Sequence, residues 1–576
     1  MQNTLPYAKW GRLGMDRIKE LGLDVRTFFN AKPAFIAGVL DTMQVPKFID
    51  SAIGARKQTG RPQKISDGTI AKLMLINICD NHHPLYRLKE YFLDKDVQLL
   101  AGEHVGLDLL HDDRFGDLLD RMFEAGPRAI FSAIATNAFL QYGLSIRSLN
   151  YDTTSKVMWG EYEGDDGRIG TISITFGHSK DKRGDKNQLK VGLGTADGVI
   201  VDAKVLSGNT DDKTYNNDAL DDADVLLDRH GVDRESFYYV ADSAFFTEAN
   251  IEKAKDHRIK FITRAPETVT VTNQLLDQAW ERPENFLKLQ LKNNQGQLSE
   301  YMVQEFDDAY RKTPCKFAVC YSPSLEKEKQ KTMTRRIAKE KAELNKLIAQ
   351  YAKRDYACQP DAEKEIAVFT TKKLPKIQYH RVDFQIVQEE KKGRGRPKKN
   401  QPDDEKHYIY RLLLSIELDE AGATQKLKRN ATFVLASNDL ELSAEQILTE
   451  YKTQSSVEKK FQQLKSPHFV NSLYLKKPER IEALVYIILI AMMVLSVVER
   501  VVRREMETEN AVVIGPGKVK MTRPTLRAIV DIFGYAPVNR YSYEGQVSRA
   551  LLEPLNDSQG KILRYLRIPT NIFTET

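Results

Sequence analysis

A change of pattern near residue 147 constrains the fold of this chain more than any other sequence feature. Before it, apolar residues recur at helical spacing, as in TIAKLMLINIC (69–79), a helix that Ser66 and Asp67 can cap. Beyond it, β-forming residues dominate in LNYDTTSKVMWG, TISITFG and QLKVGLGTADGVIVDAKVLSG, the last split by the hairpin turn signal Asp197-Gly198. The sequence therefore predicts a helical N-terminal region followed by three strands in succession, paired antiparallel.

Strands and helices alternate after these strands. ALDDADVLLDRHG (219–231) predicts a helix, FYYVAD (237–242) a buried strand, IEKAKDH (251–257) a helix and KFITRA (260–265) another strand. Three antiparallel strands followed by strand–helix alternation is the order expected of a ribonuclease-H-like α/β domain.

The α/β pattern stops after Pro266. Five strand-like runs follow (TVTVTNQLL, CKFAVCYS, EIAVFTT, HRVDFQIV and HYIYRLLLSIEL), with a highly charged helix at about 325–354 among them. A narrow apolar seam on that helix favours packing on the insertion over a functional coiled coil. It is formed by Met333, Ile337, Leu344, Ile348 and Tyr351.

The α/β pattern then returns. ATFVLASNDL (431–440) predicts a buried strand, and Ser443 can cap one long helix, AEQILTEYKTQSSVEKKFQQLK (444–465). The most economical organisation is an α/β domain interrupted by a β-rich insertion, with helical N- and C-terminal regions. The expected segments are 1–146 (helical), 147–266 (α/β domain, first part), 267–430 (insertion), 431–505 (α/β domain, second part) and 506–576 (C-terminal region).

Composition excludes several classes of protein. The net charge is only +6, so a nucleic-acid surface must come from local clustering of basic residues. Four cysteines without a CxxC pair indicate a reduced, cytoplasmic protein without structural zinc. The apolar run ALVYIILIAMMVLSVV (483–498) is shorter than the ~20 residues that span a bilayer and has charged flanks, so we expect a buried helix and no membrane association.

Two aspartates lie where the predicted strands can present them. Asp152 lies within the first strand and points away from the side of Tyr151 and Thr153, and Asp242 closes the buried strand 237–242. A carboxylate at the end of a buried strand is costly without a partner or a metal ion. Phosphoryl transfer with two metal ions needs such carboxylates from neighbouring elements. Either aspartate alone is also compatible with a structural or exposed role.

The helix predicted at 444–465 carries a polar stripe. Tyr451, Gln454, Glu458 and Lys465 are separated by three, four and seven residues, which places them within an arc of about 60° on an α-helix. An adjacent apolar face, formed by Val457, Phe461 and Leu464, can pack on a sheet. By spacing alone, a solvated helix face explains the stripe as well as a functional one does.

The order of the three motifs and the sequences around them indicate a function that helical spacing alone does not. YDTTS (151–155), VADSAF (240–245) and Y-x2-Q-x3-E-x6-K (451–465) resemble the three blocks of bacterial insertion-sequence DDE transposases with the Y-R-E-K pattern, the insertion-sequence-four-like group. GHSKDKRGDKNQLKVGL and LSGNTDDKTY, between the first two blocks, also fit that family. The resemblance covers roughly residues 60–570, with one departure: the Arg of the pattern is Gln454 here.

The resemblance implies a complete active site. Asp152, Asp242 and Glu458 would be the catalytic, metal-binding triad for two Mg²⁺ (or Mn²⁺) ions. Tyr451 and Lys465 would hold the DNA backbone, and Gln454 would do so without the charge and fork of an Arg. Four acidic residues in predicted loops rank lower as alternative ligands: Asp165, Asp166, Asp211 and Asp212.

The implied reaction is nicking at the ends of an insertion sequence and joining of the freed 3′-OH to target DNA, without ATP. The partners would be double-stranded DNA, as terminal inverted repeats and target, and a second copy of the chain in a homodimer on DNA. The N-terminal helices are candidates for binding the DNA ends, and a cytoplasmic, nucleoid-associated location follows. An inactive transposase-derived DNA-binding protein and a nuclease of the same fold are the alternatives.

A basic segment lies inside the insertion. KKGRGRPKK (391–399) resembles an AT-hook, so Arg394 and Arg396 are expected to enter a narrow A·T minor groove. A solvated basic linker is the alternative interpretation of the same residues.

Overall fold

The chain forms two compact units. The structure, a computed structural model, describes residues 24–29, 31–54, 65–80, 83–160, 162, 171–292, 298–391, 407–465 and 475–575. One unit comprises Met1–Thr263 with Glu450–Thr576, and the other is Arg264–Thr449.

The strands of both units are numbered here in chain order. They are β1 Asp24–Phe28, β2 Ser148–Val157, β3 Gln188–Ala196, β4 Val199–Ser207, β5 Tyr238–Ala241, β6 Lys260–Ala265, β7 Leu287–Lys292, β8 Leu298–Tyr310, β9 Thr313–Tyr321, β10 Asp355–Tyr356, β11 His380–Glu390, β12 Tyr408–Leu418, β13 Thr432–Ser437, β14 Val513–Ile514, β15 Lys520–Met521, β16 Val538–Tyr543 and β17 Gln546–Leu551.

The α-helices are numbered in the same way. They are α1 Lys32–Thr42, α2 Val45–Gly54, α3 Asp67–Asp80, α4 Leu88–Phe92, α5 Val97–Ala101, α6 Asp112–Ala125, α7 Pro127–Tyr142, α8 Asp212–His230, α9 Glu248–Asp256, α10 Thr270–Glu281, α11 Pro323–Tyr351, α12 Gln359–Lys372, α13 Glu420–Asn430, α14 Ala444–Lys452, α15 Ser455–Lys465, α16 Pro478–Thr508, α17 Leu526–Asp531 and α18 Asp557–Tyr565.

The first unit is built on strands in the order β4-β3-β2-β5-β6. β2 pairs antiparallel with β3, and β3 with β4, whereas β5 lies parallel to β2 and β6 parallel to β5. This order and these directions are those of the ribonuclease-H-like fold, so the predicted α/β class with its helical N-terminal region is confirmed. β1 adds a small antiparallel sheet with β16 and β17, which joins the two ends of the unit.

The turn between β3 and β4 has the predicted geometry, but the strand predicted at 171–177 is wrong. Asp197 and Gly198 have φ of 52° and 76°, and a tight hairpin turn of type I′ needs positive φ at both positions. In 171–177 only Thr175 pairs, as an isolated bridge to Gln188. The alternating pattern there reflects burial of Ile172 and Ile174 without continuous strand pairing.

Helix α16 is the core helix of the first unit. Its length and apolar composition would suffice to cross a membrane, but 94% of its most apolar stretch is buried inside the protein. It packs against α3, α6, α7 and β4. The prediction that 483–498 is part of a buried helix is confirmed, and the apolar run is explained by this packing.

Glu482 on α16 makes stability depend on pH. Burial, assisted by Glu479, raises the pKa of Glu482 to about 7, and its Oε2 has no hydrogen-bond partner among the described residues. The unfolded chain ionises nearer the ordinary value of 4.5, so the free energy of unfolding falls as the pH rises from about 4.5 through about 7. At pH 8 we expect Glu482→Gln to increase the free energy of unfolding by up to about 3 kcal/mol and so to raise the melting temperature. At pH 5 the substitution should have little effect on either.

Calorimetry at the two pH values checks this prediction. Glu507→Gln is the matched control, because Glu507 is exposed on the same helix. An equal effect of Glu482→Gln at both pH values would contradict a titrating carboxylate as the cause.

The second unit contains two sheets and a long helix. Its strands lie in the orders β13-β9-β8-β7 and β10-β12-β11, and each pair is antiparallel. The apolar seam of α11 packs within this unit. Met333 belongs to a buried hydrophobic cluster with Tyr379 and Leu427, and Tyr351 to another with Phe369 and Leu412. The predicted packing of the charged helix on the insertion is thereby confirmed.

Two of the strand-like runs in this unit are helices. TVTVTNQLL lies largely in α10, and EIAVFTT lies in α12. In α10 the buried residues recur at helical spacing, and tertiary packing of this face outweighs the strand preference of its β-branched residues. Pro360 stands in the first turn of α12, where it favours helix initiation.

Candidate active site

Two of the three predicted catalytic carboxylates lie side by side at neighbouring strands of the sheet. Tyr151 of β2 is aligned with Ala241, the last residue of the parallel strand β5. Asp152 is the next residue of β2, and Asp242 directly follows β5. Neighbouring strands lie about 4.8 Å apart. Tyr151 itself points to the other face and stacks on Tyr239, with ring centroids 5.1 Å apart. The fold therefore presents both carboxylates on the same face of the sheet.

Asp242 is held at the end of β5 by local hydrogen bonds. Its carboxylate accepts a hydrogen bond from the Ala244 amide at 3.0 Å, and its backbone carbonyl accepts one from Thr263 Oγ1 at 2.7 Å. Burial, and next the charge of Asp152, raise the pKa of Asp242 above its ordinary value. Burial and the neighbouring Asp152 carboxylate therefore both oppose ionisation of Asp242.

Lys180 supplies a cation to this site. Its ammonium donates hydrogen bonds to Asp152 Oδ1 at 2.9 Å and to the Thr153 carbonyl at 2.7 Å. Its backbone amide donates to Ser155 Oγ at 2.8 Å, which fixes the segment along β2. Burial lowers the pKa of Lys180, but Asp152 and then Asp212 outweigh this and raise it above the ordinary value. Lys180 is therefore a charged group of the site.

Asp212 is a third carboxylate of this site. It accepts hydrogen bonds from Thr153 Oγ1 at 2.8 Å and from Lys190 Nζ at 3.1 Å, and its Oδ2 lies 3.8 Å from Lys180 Nζ. Burial raises the pKa of Asp212, but Lys180 and then Thr153 outweigh it, so the pKa is lowered. Asp212 is thus ionised beside Asp152.

The sequence contained a signal for the position of Asp212. Asp211 caps α8 by accepting from the Lys213 and Thr214 amides, and Asp212 is the first helical residue. The Asn and Lys neighbours predict a loop, whereas an Asp before a helical pattern is also an N-cap signature. Two other alternative ligands, Asp165 and Asp166, lie outside the described residues.

The single helix predicted at 444–465 is wrong, because the chain forms two helices. α14 ends at Lys452 and α15 begins at Ser455. Thr453 Oγ1 donates to the Glu450 carbonyl at 2.6 Å and to Asn150 Oδ1 of β2 at 2.8 Å. Such side-chain bonds compete with the helix ladder, as Ser and Thr often do. The break separates Tyr451 and Gln454 from the face that carries Glu458 and Lys465.

Helix α15 carries Glu458 in its first turn and packs on β2, the strand that contains Asp152, and on β3. Ser456 Oγ lies 2.9 Å from Thr195 Oγ1 of β3, and buried Val457 and Phe461 face the sheet. Glu458 itself is exposed and makes no ion pair or side-chain hydrogen bond with any residue that the structure describes. The structure therefore brings Asp152 and Asp242 together and leaves Glu458 unpaired on a helix that packs on β2.

The predicted DNA-contacting residues fall in different surroundings. Lys465, the last residue of α15, pairs with Asp181 at 2.6 Å, next to Lys180 in sequence. Tyr451 is half-buried near the end of α14, and Gln454 is only 8% exposed at the break. Of these three, Lys465 is the one that lies on the surface beside the acidic site.

Arg394 and Arg396 lie outside the described residues. The ends of the segment that contains them are described. The Lys391 amide donates to the His407 carbonyl at 2.7 Å, next to the paired ends of β11 and β12. The AT-hook-like segment thus connects two antiparallel strands of the second unit.

The acidic site fits a divalent cation by its donor set. Asp152, Asp242 and Asp212 offer only carboxylate oxygens, the ligands that Mg²⁺ and Mn²⁺ prefer. The same carboxylates already attract the Lys180 ammonium. Among the described residues, one group of three side chains has its potential metal-ligand atoms all within 4.8 Å of one another. It is the exposed group His111, Asp112 and Asp113, which lies apart from this site in the sequence.

Comparison with known proteins gives two family matches. A model described as "Transposase DDE domain" matches residues 170–494, which include Lys180, Asp212, Asp242 and Glu458 and start beyond Asp152. A "Domain of unknown function (DUF4277)" matches residues 33–136, within the helical N-terminal region. A search of curated proteins gives no match.

The solved structures that match this chain are only weakly similar to it. The cryo-EM structure of a piggyBac transposase synaptic complex with hairpin DNA is 11% identical, with 88% of this chain and 80% of that chain covered and a TM-score of 0.36. The crystal structure of the Mos1 mariner paired-end complex with Mn is 11% identical, with 36% and 61% covered and a TM-score of 0.15. These scores are too low to add to the topology described above.

Proposed function

Since the chain belongs to the family of DDE-domain transposases, whose model matches more than half of it, we propose that it nicks DNA at the ends of an insertion sequence and joins the 3′-OH ends to target DNA. The observation that carries the proposal is that Asp152 and Asp242 directly follow Tyr151 and Ala241, which are aligned on two parallel strands, and that the charge of Asp152 acts on Asp242. Within the family, the three sequence blocks favour the insertion-sequence-four-like group with the Y-R-E-K pattern.

The proposed chemistry is two-metal phosphoryl transfer. Asp152, Asp242 and Glu458 would hold two Mg²⁺ or Mn²⁺ ions. When bound, such ions lower the pKa of an attacking water or 3′-OH and neutralise charge on the leaving oxygen. Glu458 is exposed and pairs with none of the described residues, so its side chain can turn toward the strands that carry the two aspartates. No ATP is required, because the energy of the broken phosphodiester is kept in the new one.

The protein groups around the carboxylates would hold the DNA backbone. Lys465 lies on the surface next to the Lys180 segment, and its pairing with Asp181 is exchangeable for a phosphate contact. Tyr451 would add a hydroxyl. Gln454 is buried, so its contact with phosphate requires rearrangement at the break between α14 and α15.

Further contacts would come from outside this site. We place Arg394 and Arg396 in a minor groove of the end DNA or of the target. The N-terminal helices would bind the terminal inverted repeats, and a homodimer on DNA would bring two ends together. Such a protein would act in the cytoplasm at the nucleoid.

The test of this function uses DNA from the boundaries of the element that encodes the chain. With Mg²⁺ or Mn²⁺, we expect a nick at each boundary that leaves a 3′-OH, followed by joining to a target plasmid. Random cleavage of unrelated DNA at the same rate would favour a nuclease of the same fold, and binding without cleavage would favour an inactive DNA-binding descendant.

Lys465→Met is expected to weaken binding of end DNA severalfold and to reduce the slope of log K against log salt by about one, since one phosphate contact is lost. Filter binding at several salt concentrations measures both. The matched control is Lys459→Met, an exposed lysine earlier on the same helix. Equal effects of the two substitutions would mean that Lys465 contributes only general charge.

A further inference from the structure

We propose that Lys180 is an internal cation that occupies the acidic site before metal ions bind and is displaced from Asp152 when they enter. This inference rests on the proposed function, because it concerns the same carboxylates. It assigns a role to a lysine from the segment between the first two sequence blocks, which spacing and periodicity did not single out.

Three contacts make Lys180 more than a chance surface ion pair. The ammonium binds both the Asp152 carboxylate and the carbonyl of the next residue, Thr153. The Lys180 amide is bound to Ser155 on the same strand. Lys180 is thus held along β2, and its ammonium binds the carboxylate that is proposed to bind metal.

The balance of charge explains why a cation is needed there. Asp152, Asp212 and Asp242 lie close enough to affect one another, with two lysines, Lys180 and Lys190, among them. Removing the Lys180 charge would leave Asp152 facing Asp242 without compensation. Repulsion between two neighbouring carboxylates is strong where water is partly excluded.

Asp212 offers the displaced ammonium a second position. Its Oδ2 is 3.8 Å from Lys180 Nζ, against 2.9 Å for Asp152 Oδ1, so a shift of the side chain exchanges one carboxylate for the other. Asp212 is itself fixed by Thr153 and Lys190. Asp212 is therefore a positioning residue, which accepts Lys180 when Asp152 binds metal.

Calorimetric titration of the purified full-length chain with Mn²⁺ alone measures the affinity for the metal ion and tests this inference. Without its competing cation, Lys180→Met should bind Mn²⁺ about tenfold more tightly than the unsubstituted chain. Lys180→Gln, which keeps a donor for the Thr153 carbonyl, should behave in the same way and covers the case in which the Met variant folds poorly. The control Lys186→Met removes an equal charge six residues further on, where the ammonium lies over the Trp159 ring, and should leave the affinity unchanged.

A second readout follows Lys180 directly. Amine-reactive labelling of the unsubstituted chain, read by mass spectrometry, should modify Lys180 faster with Mn²⁺ than without it, whereas labelling of the buried Lys190 stays slow. A merely structural ion pair would not produce this acceleration. Unchanged or weaker Mn²⁺ binding by both Lys180 variants, or unchanged labelling of Lys180 at saturating Mn²⁺, would overturn the inference.

Asp152→Asn distinguishes this failure from failure of the proposed function. If the unsubstituted chain binds Mn²⁺ and Asp152→Asn does not, the metal site stands, and the Lys180 variants alone decide the inference. If Mn²⁺ binding does not depend on Asp152, the metal site itself is contradicted, and the role of Lys180 fails with it.

Discussion

Asp242→Asn is expected to abolish metal-dependent nicking and joining, with a loss of at least about 10³-fold in rate, because a metal ligand contributes several kcal/mol of transition-state stabilisation. Binding of end DNA should remain, since Asp242 is half-buried at the end of β5 and its carboxylate would repel a phosphate. The measurement is nicking of labelled end DNA in Mn²⁺ beside binding of the same DNA. Asp152→Asn and Glu458→Gln should give the same separation of cleavage from binding.

We expect the loss to occur without unfolding. The pKa of Asp242 is raised in the folded chain, so ionisation of Asp242 opposes folding as the pH rises above its ordinary value. A neutral Asn should therefore leave the melting temperature at pH 8 unchanged or higher. Asp113→Asn serves as the matched control, because Asp113 belongs to the exposed group that includes His111. Loss of nicking in Asp113→Asn, with retention in Asp242→Asn, would place the metal site elsewhere.

Arg128→Met is expected to cost roughly 2–3 kcal/mol of stability, somewhat less than for a fully buried pair because part of the Arg128 side chain reaches water. The guanidinium joins α7 to β4 and α8, with Nη2 3.2 Å from Asp202 Oδ1 and 2.9 Å from Asp222 Oδ2. Asp202 is 5% exposed and also accepts the Tyr151 hydroxyl at 3.1 Å. Without Arg128, a buried carboxylate loses its positive partner.

Chemical denaturation measures this effect, with Arg229→Met as the control. Arg229 is an exposed arginine near the end of α8, and the same change there should alter stability little. Because Tyr151 precedes Asp152 on β2, we also expect Arg128→Met to lower the nicking rate at temperatures where the variant is folded. Equal stability of the two variants would contradict a structural role for the Arg128 pairs.

The positions of Asp152 and Asp242 could be predicted because local signals decide them. An alternating strand and a buried strand that ends in Asp specify which face each side chain takes, and the parallel pairing then brings the two together. The hairpin at Asp197-Gly198 is local in the same way. The break after Lys452 is not, because Thr453 bonds Asn150, about 300 residues earlier in the chain. Helical periodicity does not contain that contact.

Lys180 was missed, and Asp212 was ranked only as an alternative ligand, for a related reason. Each owes its role to partners on other elements, and in sequence each lies among Gly, Asn, Asp and Lys residues that predict a loop. In α10 the β-branched residues predict a strand, while burial of one helical face decides the structure. Local preference thus identified the strands that carry the proposed catalytic aspartates and failed where tertiary contacts select among alternatives.

Locating Mn²⁺ by anomalous scattering in crystals of the chain bound to end DNA tests the proposed metal site most directly. We expect two peaks about 4 Å apart, with oxygen ligands from Asp152, Asp242 and Glu458 and with the Lys180 ammonium away from Asp152. Peaks confined to the group at His111, or no peak between β2 and β5 at saturating Mn²⁺, would contradict it.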